Sequence, residues 1–199
     1  MKTGFDFSKA GKYKLLSDEA KVGRFLLIDY VIENGAAVSL ASAAGMIGLT
    51  ALDELLASHI VDLDADGNIG HLYPVSAAET GHSVTLADGR RFNTMCAIDS
   101  LGCPATFHMD CEISSFCRDT GESVYIKLTE NGIIGTAPDI FVSYVDNVGK
   151  ASCECCGMMS FFRHKEGAEK ALRCFAGNGQ AYLWPLEDAF HAARMMFEN

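Results

Sequence analysis

Cysteine is the residue whose placement in this 199-residue chain points most directly to chemistry. Two groups stand apart among the eight cysteines: Cys96 with Cys103, and the cluster Cys153, Cys155 and Cys156. A thiolate is both a nucleophile and a soft metal ligand. If thiolates from the two groups meet in one pocket, they predict a site for a soft, thiophilic metal rather than for calcium or magnesium.

A carboxyl group accompanies the first of these cysteines. Asp99 follows Cys96 by three residues, so the two side chains lie on one face if the segment is helical. A carboxyl beside a thiol can accept its proton and return it to a different atom, which is general acid-base catalysis. A dry pocket favours the protonated acid. The residues that could line it are also ordinary core residues: Phe107, Met158, Met159, Phe161 and Phe162.

The remaining cysteines have a plainer interpretation. Cys103, Cys111 and Cys174 lie among apolar or small residues, and free cysteine is often buried, so we expect them to pack in the core. Cys117 precedes a turn, which favours a structural role with a secondary role in assisting the site. Three cysteines within residues 153–156 are too many for packing alone.

Composition and charge limit the functional classes. Nearly half of the residues are apolar, so the chain can bury a real core as one large or two small domains. The start of the sequence lacks the apolar segment of a signal peptide, so we expect a cytoplasmic location, no membrane association and reduced thiols. The net charge of -10 and the pI near 4.9 argue against nucleic acid as a partner.

The N-terminal part of the sequence predicts three helices. The first covers residues 25–34, with Phe25, Leu26, Ile28 and Ile32 at helical spacings and Gly35 as its stop. The second covers residues 39–44, between a capping serine and a glycine, and the third begins at residue 50 with a capping threonine. Asp66-Gly67 then predicts a hairpin turn.

Three helices followed by a hairpin outline a winged helix-turn-helix unit over residues 1–80. Its third helix has two carboxylates and no Lys or Arg, so we do not expect it to bind DNA. Asp62, Asp64 and Asp66 imitate the start of a calcium loop, but Tyr73 occupies the position where a bidentate Glu belongs. A plain hairpin is therefore the better interpretation.

Residues 81–199 predict a second, catalytic domain of mixed α/β structure with an antiparallel-rich sheet, which makes the whole chain α+β. Asp88-Gly89 indicates another hairpin, and the sequences CEISSFCRDTGESVYIKL and FVSYVD are typical of strands with turns between them. The end of the chain predicts a helix with Pro185 in its first turn. Its apolar face comprises Leu186, Ala189, Phe190 and Ala193.

Three segments together resemble one known family. FNTMCAIDSLGCPA, SSFCRDTGESVYIKL and CECCGMMSFF resemble the alkylmercury (organomercurial) lyases, which carry a Cys and an Asp three residues apart. In that family a turn with Cys and Thr-Gly follows, and then a Cys shortly before Phe-Phe. The likeness covers most of the chain from about residue 24. It implies that two thiolates bind the mercury of an organomercurial while the aspartic acid delivers a proton to its carbon.

The resemblance assigns these roles to particular residues. Cys96 and Asp99 carry over directly as catalytic and mercury-binding residues. Counting back from Phe161-Phe162 without a gap selects Cys156 as the second thiol, and a one-residue insertion would select Cys155, the alternate. The resemblance implies no resident cofactor, because mercury arrives with the substrate. Cellular thiols or a mercury-accepting protein would be the partners that remove the product.

Other functions compete with a lyase. The cysteines beyond those the reaction requires favour a soft-metal-binding relative without activity. A structural zinc site could combine Cys153 and Cys156 with Cys111 and Cys117, although the second pair has five residues between its members. A thiol redox protein and a metal-sensing transcription factor are further alternatives. The six histidines show no HxxxH or HExxH grouping, so none is assigned to a metal.

Overall fold

Three helices form the N-terminal part of the molecule, which we describe from a computed structural model covering residues 12–135, 139–146, 157–173 and 180–198. After a 3-10 turn at Lys12–Leu15, helix α1 spans Asp18–Asn34, α2 spans Leu40–Ile47 and α3 spans Leu49–Ala57. Two of the predicted boundaries are wrong. Helix α2 continues beyond Gly45, and α3 begins at Leu49, so Thr50 does not cap it. Gly48, with φ +80°, makes the break between them.

The buried face of α1 also differs from the predicted one. The helix begins seven residues earlier than predicted, where the Ser17 hydroxyl accepts a hydrogen bond from the Ala20 amide at 3.1 Å. These first turns place Ala20 and Arg24 against the core, and later turns of the helix continue the same buried face. The structure therefore buries Leu27, Ile28 and Val31 and leaves Leu26 47% exposed.

An eight-stranded antiparallel sheet occupies the centre of the molecule. Its order is β1-β2-β3-β5-β4-β6-β7-β8. The strands are Val61–Leu63, Ile69–Leu72, Val75–Ser76, Ser83–Leu86, Arg91–Thr94, Cys111–Phe116, Ser123–Thr129 and Gly132–Ile134. The predicted boundary near residue 80 falls between β3 and β4, and both sides contribute strands to this sheet. The division into two domains stays a prediction, as does the winged-helix nature of the first.

Both predicted hairpin turns are present, with Gly67 and Gly89 at positive φ. In the first turn the Asp64 carboxylate accepts hydrogen bonds from the amides of Asp66 and Asn68, each at 2.9 Å. Within the described ranges, no three His, Cys, Asp or Glu side chains are grouped so that they could hold a metal ion. The acidic stretch is thus organised as a turn.

A smaller sheet and three further helices complete the architecture. Strand β9 (Phe141–Asp146) pairs antiparallel with both β10 (Phe161–Phe162) and β11 (Gln180–Pro185). Helix α4 (Ala97–Phe107) connects β5 to β6 of the central sheet, α5 (Lys165–Arg173) connects β10 to β11, and α6 (Leu186–Phe197) follows β11. The mixed α/β fold with an antiparallel sheet agrees with the predicted class. Among the described helices none is long and apolar enough to cross a membrane by itself, although the bent pair α2 and α3 meets that criterion jointly.

Helices α4 and α6 pack closely because α4 carries a glycine at their contact. A Cβ on Gly102 would lie 2.3 Å from the ring of Phe197, so only glycine admits that ring. The apolar face predicted for α6 is buried, whereas Pro185 is the residue before the helix and not part of its first turn. This packing fixes the axis of α4, the helix that carries the predicted catalytic pair.

Candidate active site

Cys96 is the residue immediately before α4, and its backbone is extended there, with φ -156° and ψ 178°. Two hydroxyls fix this junction: the Ser100 side chain donates to the Cys96 carbonyl at 3.0 Å and lies 2.6 Å from the Thr94 hydroxyl. Thr94 ends strand β5, so the hydroxyl pair ties the helix start to the central sheet. Thr94 and Ser100 are both fully buried.

The thiol of Cys96 meets the carboxyl of Asp99 in the interior of the protein. The distance between Cys96 Sγ and Asp99 Oδ2 is 3.0 Å, and the two residues are 1% and 4% exposed. Asp99 lies in the first turn of α4, where the helix dipole favours a negative charge. One proton can therefore move between sulfur and oxygen with little rearrangement, since the heavy atoms are already within hydrogen-bond distance.

A second chain segment closes over this pair. The Ala97 amide donates to the Met159 carbonyl at 3.0 Å, and Cys96 Sγ lies 3.9 Å from Met159 Sδ. Met159 follows Cys156 by three residues. The chain that leaves the cysteine cluster is thus attached to the start of α4.

Arg118 and Ser143 hold the same segment from its other side. The guanidinium of Arg118 donates to the Gly157 carbonyl and lies 3.3 Å from the Ser160 hydroxyl. The Ser143 hydroxyl donates to the Met158 carbonyl and accepts from the Ser160 amide at 3.1 Å. Each of residues 157–160 therefore has a hydrogen bond to a neighbouring element, which gives this short segment a defined path.

Cys103 and Cys111 pack in the core, as the sequence predicts. Burial raises the pKa of Cys103 well above its usual range, and the Cys103 thiol donates to the Asp99 carbonyl at 3.4 Å. Burial likewise raises the pKa of Cys111 to about 12. A thiol with so high a pKa is a poor nucleophile and a poor ligand at neutral pH.

Cys117 has the opposite tendency. Burial by itself would raise the pKa of its thiol, but hydrogen bonds from the Thr120 side chain and from the amides of Arg163, Thr120 and Asp119 outweigh that and lower it. The Arg163 amide lies 3.3 Å from the Cys117 sulfur. These contacts join the turn after β6 to the strand β10 segment, which is the structural role that the sequence predicts.

The geometry opposes the zinc site that the sequence leaves open. Cys111 begins strand β6 and Cys117 follows its last residue. A strand rises about 3.3 Å per residue, so the two residues are about 20 Å apart. One zinc ion cannot bind both, because Zn–S bonds are only about 2.3 Å long.

Other predicted site residues are placed differently. Cys153, Cys155, Cys156 and Cys174 lie outside the described residues, so their predicted roles stay predictions. Phe107 ends α4, about 16 Å along the helix axis from Cys96, and its ring contacts those of Phe92 and Phe25. Phe107 therefore packs in the core away from Cys96, which is the ordinary role that the sequence allows for it. Phe161 and Phe162 are buried on the segment that follows Met159.

The sequence reasoning missed the residues behind Asp99. The Arg24 guanidinium lies 4.1 Å from the centre of the Tyr13 ring, which stacks on Phe197 at 5.5 Å. Burial raises the pKa of Tyr13, Arg24 opposes that shift, and the charge of Asp99 adds to it. Tyr13 is thus within electrostatic range of Asp99. The position of Tyr13, far upstream of α4 in sequence, gave no signal of this proximity.

The chain can now be compared with known proteins. The model of the alkylmercury lyase family matches residues 75–198, a region that includes Cys96, Asp99 and the cysteine cluster. The chain belongs to the alkylmercury lyase family. An alkylmercury lyase of Bacillus cereus is 27% identical over 139 residues, which are 68% of this chain and 62% of that relative. An alkylmercury lyase of Pseudomonas putida is 28% identical over 155 residues, 76% of this chain and 71% of the relative.

The fold of an alkylmercury lyase family member extends through nearly the whole chain. The crystal structure of the mercury-bound form of MerB2 superimposes with a TM-score of 0.68 and 22% identity, covering 94% of this chain and 95% of that one. The structural likeness therefore includes the N-terminal helices, which precede the region matched by the family model. The chain spans somewhat less than two thirds of the length of the Bacillus cereus relative in sequence alignment.

Proposed function

We propose that this family member cleaves the carbon-mercury bond of organomercurials by protonolysis. The observation that carries the proposal is the buried contact of 3.0 Å between Cys96 Sγ and Asp99 Oδ2. This contact joins a soft nucleophile to an acid-base group without intervening water. Membership in the alkylmercury lyase family supports mercury as the metal.

The first step is capture of the metal. Asp99 accepts the proton of the Cys96 thiol, and the thiolate displaces a small thiolate from the mercury of the organomercurial. The metal then carries its organic group and the Cys96 sulfur, while Asp99 holds the proton. Burial favours this neutral form of the acid, since a charged carboxylate is poorly solvated in a dry pocket.

The second step breaks the bond. A second thiolate, assigned to Cys156 with Cys155 as the alternate, binds mercury after losing its proton to solvent. The added electron density weakens the bond between mercury and carbon, and the bonding electron pair remains with carbon as it takes the proton from Asp99. The products are a hydrocarbon and mercury bound by two thiolates. Small cellular thiols or an acceptor protein would then remove the metal and return protons to the cysteines.

The path of residues 157–160 supports Cys156 as the second thiol. Gly157, its neighbour in sequence, is bound by Arg118, and Met159 contacts Cys96 directly. Cys156 precedes Met159 by three residues, and three residues of chain span at most about 11 Å, so the sequence spacing allows its thiol to reach the Cys96 site. The same argument admits Cys155 less readily, because it is one residue farther away.

We also propose that the N-terminal helices serve as a scaffold. Helices α1 to α3 with the β1-β2 hairpin have the outline of a winged helix, but α3 carries two carboxylates and no basic residue. Tyr13 from this part lies within electrostatic range of Asp99, and Arg24 packs on the Tyr13 ring. We expect no shift of duplex DNA by the protein at low salt, and a clear shift would contradict this role.

Arene release tests the proposed function directly. The reduced protein is mixed with an arylmercury salt and excess small thiol, and free arene and inorganic mercury are quantified. We expect catalytic release by the wild type and by Cys111→Ala, a control in a core cysteine, but none by Cys96→Ala. Full turnover by Cys96→Ala would refute the mechanism. Stoichiometric mercury binding without arene would instead identify a soft-metal-binding protein.

A further inference from the structure

The sulfur of Met159 lies beside the thiol of Cys96, at the edge of the hydrophobic core. Its distance from Cys96 Sγ is 3.9 Å, while Asp99 lies 3.0 Å from the same thiol on α4. The thiol has a single hydrogen, so it cannot donate to both neighbours at once. Asp99 is the stronger acceptor of that hydrogen, so the two sulfurs are in van der Waals contact, and each has lone pairs that a soft metal can use.

The separation of the two sulfurs is suitable for a shared metal ion. Two sulfur ligands of one tetrahedral zinc ion, at a metal-sulfur distance of about 2.3 Å, lie about 3.8 Å from one another. Mercury is a larger ion than zinc, so its sulfur ligands lie farther apart. From the observed 3.9 Å, the flexible Met159 side chain needs a small outward movement for one mercury ion to contact both atoms. A thioether is a soft donor and prefers the same metals as a thiolate.

We propose that Met159 is a third soft donor to the mercury bound in this site. The inference rests on the proposed function and concerns the same pocket, but it assigns a ligand that the two-thiolate mechanism does not use. The thioether adds electron density to the metal without adding charge or needing to lose a proton. It therefore assists the breaking of the carbon-mercury bond and also retains the inorganic mercury that remains.

The backbone of Met159 is held where this role requires it. Its carbonyl accepts from the Ala97 amide at 3.0 Å, immediately beside Cys96. Its neighbours Met158 and Ser160 are both bound by Ser143. Methionine side chains are flexible, but a backbone fixed on both sides confines the sulfur to the vicinity of the thiol.

Substitution by leucine separates a ligand role from a packing role. Leucine has nearly the volume of methionine and is usually tolerated in its place, but it has no sulfur. Met158→Leu is the matched control, because Met158 is equally half-buried and adjacent in sequence. We expect Met159→Leu to lose bound Hg²⁺ at an about tenfold lower concentration of competing small thiol, whereas Met158→Leu behaves as the wild type.

Selenium labelling gives a readout that packing cannot imitate. The protein is prepared with selenomethionine and loaded with Hg²⁺ alone, and X-ray absorption at the mercury edge is used to detect selenium among the atoms bound to the metal. We expect selenium in the wild type and in Met158→Leu, and its loss in Met159→Leu. Selenium missing from the wild type, or still present in Met159→Leu, would overturn the inference. This measurement involves no cleavage, so it decides on Met159 separately from the arene assay.

Discussion

Replacing Asp99 by asparagine should stop proton delivery to carbon. It should also slow mercury capture, because Cys96 must then lose its proton to solvent, but stoichiometric mercury binding should remain. Asparagine has the size of aspartate, and its amide can still donate a hydrogen bond to a Cys96 thiolate 3.0 Å away. It cannot, however, carry the proton that carbon must receive. Water cannot readily replace it, because Asp99 is only 4% exposed and no water molecule fits within a 3.0 Å contact. The proton would then come from bulk solvent by a slower route.

The expected loss follows from the usual contribution of a positioned acid. General acid catalysis contributes about 10²–10⁴-fold, which corresponds to roughly 3–5 kcal/mol of transition-state stabilisation. We expect arene release by Asp99→Asn to fall by this factor in a single-turnover assay, with mercury still bound to the protein in stoichiometric amount.

An exposed carboxylate provides the comparison. Asp53 on α3 faces solvent, so Asp53→Asn should release arene at the wild-type rate. If Asp99→Asn kept a rate within about threefold of wild type, less than 1 kcal/mol, proton delivery by Asp99 would be refuted. Loss of mercury binding together with arene release would instead show that Asp99 holds the site together.

Three further predictions concern the surroundings of the site. Arg118→Ala should lower kcat/KM for an arylmercury salt by about tenfold or more, because the Gly157 carbonyl loses its hydrogen bond. The exposed control Arg173→Ala should leave kcat/KM unchanged, and equal values for the two variants would exclude positioning by Arg118. Gly102→Ala should destabilise the protein by about 1–3 kcal/mol in urea unfolding, because its Cβ meets the Phe197 ring, and an unchanged midpoint would contradict that packing. Burial lowers the pKa of His82 from 6.5 to about 4, so its contribution to stability is present above pH 6.5 and is lost as the pH falls towards 4. Unfolding measurements should show that the free energy of unfolding falls by about 3 kcal/mol over that range, and His82→Gln should remove most of this loss. An identical pH profile for the variant would refute the prediction.

Local sequence signals were sufficient for much of this architecture and for one side of the site. The Asp-Gly turns predicted both hairpins, because glycine supplies the positive φ that such turns need. Helical spacing likewise predicted that the Cys96 and Asp99 side chains lie together, and the structure brings them together, although Cys96 precedes the helix and has an extended backbone. Both features depend on residues within a few positions of one another.

Contacts between distant segments could not be predicted in this way. Arg118 binds Gly157 across 39 residues of sequence, and Tyr13, near the start of the chain, lies within electrostatic range of Asp99 in α4. The residue type of Phe107 allowed either a pocket or a core role, and only the structure decides, because the eleven residues of α4 place Phe107 at the far end of the helix from Cys96. The Gly48 break shows a local failure too, since Thr50 has a capping side chain but the chain turns before it.

Residues that the family model does not cover pair with the first strand that it does cover. The match begins at Val75, the first residue of β3, yet β3 pairs on one side with β5 and on the other with β2. Residues before 75 therefore shield a hydrogen-bonding edge that would otherwise be open to other chains. A fragment that begins at Val75 would therefore leave the β2 side of β3 unpaired, even if its catalytic pair remained intact.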